Sequence, residues 1–166
     1  MTDSKILVVG LGNPILGDDG VGWEVAEQLR QQNMDSKIDI ECLAVGGLRL
    51  MEFMIGYQQA IVIDSLTSYT NPVGQVSVFD LEQMPDLTAG HTTSAHDTSL
   101  QSALNMGRKM GFALPEQVMV VGIEAQQVFD FSEELTPPVR GAIPLAVERV
   151  INLIDRYRRN CQYDLT

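Results

Sequence analysis

The stretch KILVVGLGNPILGDDGVG, residues 5–22, contains a short apolar run, a glycine-rich loop and the beginning of a helical pattern. The run KILVVG is continuously apolar after its lysine and ends in glycine, which is typical of a strand buried on both faces. After the loop, Val21, Val25 and Leu29 recur at four-residue spacing, so Val21–Gln31 is predicted to be an amphipathic helix. The stretch therefore predicts a central strand, a loop and a helix in that order.

Further strands and helices alternate downstream of this unit. IDIECL (38–43) and AIVID (60–64) are predicted strands with a short helix over 48–55 between them, and QVMVVG (117–122) is a last apolar strand. A β-α-β-α-β order favours a parallel sheet covered by helices. The sequence therefore predicts an α/β fold with a mostly parallel sheet.

The second half adds an edge strand, an irregular segment and two helices. Residues 71–79 read as a turn and an alternating strand, which is typical of an antiparallel edge. Residues 80–98 lack periodicity and are rich in Gly, Pro, Thr and Ser, so a long loop is predicted there. A helix follows over 100–107, and apolar residues stripe a last helix over 143–157. We expect that helix to begin near Pro144 or to kink there, because proline lacks an N–H.

Composition excludes several classes of protein. The 166-residue chain is 45% hydrophobic and has a formal net charge of −11, so most of its surface would repel a nucleic-acid backbone. No stretch approaches the roughly 20 apolar residues of a membrane span. The two cysteines, Cys42 and Cys161, form no C-x-x-C pair, which fits a reducing cytosol. We expect a single cytoplasmic domain over residues 1–166 that contacts neither membrane nor nucleic acid.

The glycine-rich loop resembles a dinucleotide-binding turn only in part. Gly10 and Gly12 supply two glycines of G-x-G-x-x-G, but Ile15 occupies the third position. Asp18 and Asp19 would also place negative charge where a phosphate should bind. A nucleotide-dependent oxidoreductase is therefore disfavoured, and no organic cofactor is expected. One of the two aspartates has an ordinary alternative role as the N-cap of the following helix.

Three residues are candidate metal ligands. Asp64 ends an apolar strand at the edge of the sheet where Asp19 also lies, and His96 precedes the helix over 100–107. Two carboxylates held close together need a cation or a shared proton. With an imidazole they form an incomplete shell suited to Zn²⁺ or Ni²⁺. The alternatives are a turn cap for Asp64 and a solvent-exposed loop position for His96, as we expect for His91.

These motifs together resemble the hydrogenase maturation proteases, endopeptidases that act on [NiFe]-hydrogenase large subunits. The similarity comprises GLGNPILGDDGVG, AIVIDSL, SAHDTSL, VVGIE and ELTPPV, in the same order and over nearly the whole chain. The resemblance implies a three-layer α/β/α sandwich with a twisted sheet of about five strands. It also implies that Asp19, Asp64 and His96 contact nickel and take part in catalysis.

The resemblance also implies a substrate. This is a nickel-loaded large-subunit precursor whose C-terminal extension is removed, so nickel would arrive with the substrate and a monomeric enzyme is expected. One segment departs from the family pattern: VGGLRL over 45–50 keeps the paired glycines but lacks the acidic and threonine positions. That departure weakens any transfer of this loop's role in substrate recognition.

Two mechanisms and one rival function remain open from the sequence. A nickel-polarised carbonyl or a nickel-bound water could form the attacking system, with one carboxylate as general base. No G-x-S-x-G, H-E-x-x-H or local cysteine-histidine signature is present, which argues against the usual serine, zinc and cysteine proteases. A nickel-binding chaperone without proteolytic activity would use the same three residues.

Overall fold

The computed structural model describes residues 5–32, 34–83, 95–126, 128 and 130–163, with the side chains of 95–99 and 161–163 excepted. Five strands and four α-helices lie in these residues, along with short 3₁₀ turns at Gly17–Gly20 and Leu81–Gln83. In chain order they are β1 (Ile6–Leu11), α1 (Val21–Arg30), β2 (Ile38–Leu43), α2 (Gly47–Met54), β3 (Gln59–Leu66), β4 (Val76–Asp80), α3 (Ala95–Lys109), β5 (Gln117–Glu124) and α4 (Pro137–Tyr163).

The strands form one sheet in the order β2-β1-β3-β5-β4. All neighbouring pairs are parallel except β4 with β5, which are antiparallel. The predicted mostly parallel sheet and its antiparallel edge strand are therefore confirmed. Because β1, β3 and β5 are adjacent and parallel, the loops that follow them emerge together at one edge, which we call the carboxyl edge.

Helices cover both faces of the sheet. Residues of α1 and α4 pack with Val8 of β1 and Ile61 of β3 in one core, whereas residues of α2 and α3 pack with Val9 and Val62 in the other. Alternate residues of each central strand thus enter opposite cores, which explains why these strands are continuously apolar. The predicted three-layer α/β/α sandwich is confirmed.

Glycine is required where the loop and α1 pack closely against the sheet. A Cβ on Gly22 would lie 2.4 Å from the Leu11 carbonyl oxygen and 2.5 Å from that of Ile63, both backbone atoms. Gly12 has φ +129°, and a Cβ there would lie 1.9 Å from the Asp19 carbonyl oxygen. The glycines of this loop therefore allow close packing of α1 and of the Gly17–Gly20 turn against β1, which accounts for them without a bound phosphate.

Two predicted helix boundaries are wrong. Helix α3 begins at Ala95, inside the segment predicted as a loop. Helix α4 begins at Pro137 and runs through Pro144. Pro137 suits a first helical turn, where its missing N–H would have no intrahelical partner. Pro144 lies on the exposed side of α4, as does Arg140 one turn earlier, so water can solvate the carbonyl that loses its partner.

No helix among the described residues is both long and apolar enough to cross a bilayer. That observation agrees with the sequence, in which every apolar run is short.

Cys42 on β2 is expected to be an unreactive thiol. The pKa of its thiol is raised to about 11, chiefly by burial; of the nearby charges, Arg30 lowers this pKa and Glu27 and Glu41 raise it. In a Cys161→Ser variant at pH 8.5, only about 0.3% of Cys42 would be thiolate, against about half of a free cysteine. Allowing for the greater nucleophilicity of a high-pKa thiolate, we expect reaction with an aromatic disulfide reagent to be about tenfold slower than that of free cysteine. An equal rate for the folded protein would contradict this prediction, and urea-unfolded protein is the control.

Candidate active site at the carboxyl edge

Asp19 lies on the Gly17–Gly20 turn that connects β1 to α1, and both of its carboxylate oxygens accept hydrogen bonds. The Asn13 amide donates to Oδ2 at 2.8 Å, and the Ser65 hydroxyl donates to Oδ1 at 3.0 Å. Asp19 is half-buried. Each oxygen keeps a second lone pair for another ligand, because a carboxylate oxygen can accept two hydrogen bonds.

Asp64 is held beside Asp19 by the strand order. It lies on β3, which extends two residues past it to Leu66, so Asp64 is within the strand and does not end it. Its side chain is 1% exposed, and the Ser65 amide donates to Oδ1 at 2.8 Å. Since the Ser65 hydroxyl bonds Asp19, the two aspartates share Ser65 as a common neighbour. The predicted convergence of Asp19 and Asp64 at one edge agrees with this geometry.

Asp18 has a different role from its neighbour. It is fully buried and accepts hydrogen bonds from the amides of Gln126 at 3.1 Å and Thr136 at 2.7 Å, and from the Thr136 hydroxyl at 2.9 Å. In the described part of the chain no side chain caps α1 at its N-cap residue, Gly20. The predicted N-cap role for an aspartate of this pair is therefore wrong. Asp18 instead forms hydrogen bonds to Gln126 and Thr136, at the two ends of the segment between β5 and α4.

His96 lies in the first turn of α3 and not in a loop. A short connection joins the C-terminus of α3 to β5, and the Ala113 carbonyl in that connection accepts a hydrogen bond from the Gly56 amide, which precedes β3. The C-terminus of α3 is thus at the opposite edge of the sheet, and its first turn is at the carboxyl edge, as Asp19 and Asp64 are. The His96 side chain and all of His91 lie outside the described residues.

Metal binding by described residues alone is not supported. Among the side chains that the structure describes, no group of three histidines, cysteines or carboxylates is arranged to hold a metal ion. Asp19 and Asp64 are the described members of the predicted ligand set, and their role as metal ligands stays a prediction. Carboxylates are suitable ligands for divalent cations, so the chemistry of these two side chains is compatible with a metal that another group helps to hold.

Two further polar residues of this edge were not foreseen from the sequence. Ser65 orients Asp19, and Glu124 binds the turn after β3. Glu124 is 3% exposed, and its Oε1 accepts hydrogen bonds from the Ser68 amide at 2.7 Å, the Ser68 hydroxyl at 2.9 Å and the Tyr69 amide at 3.3 Å. The partners of Glu124 are more than 50 residues away in sequence, and no local motif links them.

Comparison with known proteins identifies relatives of the whole chain. HupD from Rhizobium leguminosarum bv. viciae is 29% identical over 151 residues, which are 90% of this chain and 74% of that protein. The hydrogenase 2 maturation protease of Escherichia coli K12 is 28% identical over 148 residues, 89% of this chain and 88% of the relative. The structure of the hydrogenase maturating endopeptidase HybD from E. coli superposes with a TM-score of 0.78 at 28% identity and covers 92% of this chain and 93% of that one.

The family profile described as hydrogenase maturation protease matches residues 23–153, most of the chain. Sequence relatives, solved endopeptidases and the three-layer fold thus agree on one assignment. The chain belongs to the hydrogenase maturation protease family and is a hydrolase of the endopeptidase type.

Proposed function

We propose that this enzyme removes the C-terminal extension of a nickel-loaded [NiFe]-hydrogenase large-subunit precursor. Nickel arrives with the substrate, and Asp19, Asp64 and His96 recognise it by occupying its open coordination positions. The observation that carries the proposal is the pairing of Asp19 and Asp64 around Ser65 at the carboxyl edge, where open α/β sheets bind their ligands. The enzyme acts in the cytoplasm as a single-domain monomer, in line with its acidic, cysteine-poor sequence.

The two carboxylates have unequal access to the substrate. Asp64 is 1% exposed, whereas Asp19 is half-buried and open to an approaching chain. We assign Asp64 to the inner side of the nickel and Asp19 to the side that water reaches. A first-turn position on α3 brings the His96 backbone to the same edge, from which an imidazole supplies a third ligand.

Peptide hydrolysis at this site needs a water molecule, a base and a proton for the leaving amine. Nickel bound to the precursor polarises the scissile carbonyl, and Asp19 accepts a proton as water adds to the carbonyl carbon. The C–N bond then breaks, and the proton passes to the amine of the released extension. The hydrogen bonds from Asn13 and Ser65 hold the Asp19 carboxylate in place during this transfer.

A chaperone without proteolytic activity is not favoured. The solved relative at 28% identity is named a maturating endopeptidase, and the E. coli relative is named a maturation protease. The fate of the substrate separates the two functions, because a chaperone leaves the mass of the precursor unchanged and cannot turn over many molecules.

The direct test is intact mass spectrometry of nickel-loaded and nickel-free large-subunit precursors incubated with a trace of this protein. We expect the nickel-loaded precursor alone to lose a C-terminal peptide, and we expect many precursor molecules to be shortened per enzyme molecule. In the same assay, His96→Ala should reduce processing at least about 100-fold, because it removes a ligand that positions the nickel.

Three results would contradict parts of this proposal. Equal cleavage of nickel-free precursor would show that the enzyme does not recognise nickel, while its protease function would stand. Normal processing by His96→Ala would show that His96 is not one of the site residues. Unchanged mass of a precursor that binds the protein would favour the chaperone.

A further inference from the structure

Three large apolar side chains are exposed in the segments that follow β1, β3 and β5 at the carboxyl edge. Ile15 is 47% exposed, Tyr69 is 79% exposed and Phe131 is 87% exposed. They lie in the segments that follow β1, β3 and β5, which are adjacent strands of the sheet. Asp19 lies on the segment after β1 and Asp64 lies on β3, so the three apolar residues are at the same edge of the sheet as the candidate active site. We call Ile15, Tyr69 and Phe131 the apolar rim.

The segments that carry Phe131 and Ile15 are joined by backbone hydrogen bonds beside the Gly17–Gly20 turn. The Ser132 amide donates to the Ile15 carbonyl at 3.0 Å, and the Gly17 amide donates to the Ser132 carbonyl at 2.7 Å. These bonds form an isolated parallel bridge between Leu16 and Ser132, the residues that follow Ile15 and Phe131 in the chain. The buried Asp18 carboxylate also holds the segment at Gln126 and Thr136.

The backbone of Tyr69 is held by the buried carboxylate of Glu124. Glu124 Oε1 binds the amide of Tyr69 and both the amide and the hydroxyl of Ser68. Tyr69 itself has φ +58°, a left-handed conformation that costs a non-glycine residue of order 1 kcal/mol. Such a conformation persists only when surrounding contacts impose it, and the side chain that it presents makes little contact with the protein.

Isolated exposed apolar side chains are common on protein surfaces, but the placement of these three is not that of isolated residues. A single exposed apolar residue needs no explanation, but here three follow three neighbouring strands, and buried carboxylates hold the segments that carry two of them. Aromatic residues on rigid segments lose little entropy on binding and are enriched in protein interfaces. The apolar rim therefore has the exposure and the rigidity that are typical of a protein-binding surface.

The negative charge around Phe131 limits the kinds of partner that the apolar rim can bind. Asp130, Glu133 and Glu134 flank Phe131 and are exposed, and the whole chain has a formal net charge of −11. An anionic membrane surface, a nucleic acid or a second acidic copy of this chain would be repelled. An apolar protein segment with basic residues on either side complements both the rim and its acidic flank.

We propose that the apolar rim binds an apolar, basic-flanked segment of the hydrogenase large-subunit precursor and so places its scissile bond beside Asp19 and Asp64. This proposal rests on the precursor being the partner under the proposed function. The rim supplies binding energy away from the reacting atoms, and the nickel site supplies the chemistry.

The test measures binding separately from cleavage. Fluorescence anisotropy of a dye-labelled, nickel-loaded precursor gives Kd for the wild type, for a Tyr69→Ser/Phe131→Ser variant and for Met110→Ser. Met110 is 66% exposed just after α3, at the opposite edge of the sheet, so it is a matched control. We expect Kd to rise at least about tenfold in the rim variant and to change less than about twofold in Met110→Ser.

A second variant tests the acidic flank. Glu133→Lys/Glu134→Lys should slow association several-fold at low salt, and this difference should disappear at high salt.

Each remaining outcome has a defined meaning. A rim variant with wild-type Kd would overturn the proposal, as would a wild-type chain that does not bind the precursor. Concentration-dependent dimers that disappear in the rim variant would assign the rim to a second copy and would also overturn it. Rim-dependent binding without any loss of precursor mass would leave the rim intact and would reject the protease function alone.

Discussion

Asp19→Asn is expected to reduce precursor processing at least about 100-fold with less than about 1 kcal/mol change in the free energy of unfolding. Asparagine keeps the size of the side chain and an acceptor oxygen for the Asn13 amide, and its amide group can donate to the Ser65 hydroxyl. What it removes is the negative charge and the basicity by which, under the proposed function, Asp19 binds nickel and accepts a proton. The measurements are the initial rate of extension loss by mass spectrometry and a urea denaturation curve.

The matched control for this variant is Glu116→Gln. Glu116 is an exposed carboxylate just before β5, at the opposite edge of the sheet from Asp19 and Asp64, so its substitution removes one negative charge without touching either aspartate. Processing by the control should stay within a few-fold of wild type. If Asp19→Asn processes precursor at the wild-type rate while folded, Asp19 is neither the base nor a necessary nickel ligand.

Asp18→Ala is expected to destabilise the protein by about 3 kcal/mol, lowering the urea midpoint by about 1–2 M. The substitution leaves the Gln126 amide and the amide and hydroxyl of Thr136 without their acceptor, around a carboxylate that is fully buried. Each hydrogen bond to a charged group contributes about 1.5–3 kcal/mol, and the removal of a buried charge offsets part of that sum.

The control for Asp18→Ala is Glu133→Ala, an exposed acidic residue of the segment that Asp18 fastens. Its urea midpoint should match that of the wild type. A midpoint for Asp18→Ala close to the control would mean that water replaces the carboxylate, and that the segment between β5 and α4 does not depend on Asp18.

Adjacent residues of one sequence motif thus have separate roles. Asp18 is fully buried and holds a distant segment by hydrogen bonds, whereas Asp19 is half-buried and accepts a hydrogen bond from Ser65, the neighbour of Asp64. The 3₁₀ turn over Gly17–Gly20 rotates successive side chains by about 120°, which is why neighbours along the chain point in different directions. Asp18 therefore serves the stability of the fold, and Asp19 is the residue of the pair to which the proposed function assigns chemistry.

Much of the fold was predictable from hydrophobic periodicity. The five strands, their parallel order and the antiparallel edge follow from short apolar runs separated by helical patterns. The failures at α3 and α4 have local causes. Polar residues before Leu100 have no apolar period, yet α3 begins at Ala95, and Pro144 is tolerated inside α4 because its ring lies on the exposed side.

The sequence by itself determined the α/β class and the candidate residues Asp19 and Asp64, because these depend on local apolar runs and on the rule that parallel strands share a carboxyl edge. Its motifs separately carried the resemblance to the family. Only the tertiary structure decided that Asp18 fastens the segment at Gln126 and Thr136, that Ser65 joins the aspartates and that Glu124 holds Tyr69. The physical reason is sequence separation. Strand and helix formation depends on neighbours along the chain, whereas the buried carboxylates of Asp18 and Glu124 accept hydrogen bonds from donors that folding brings from 55 to 118 residues away.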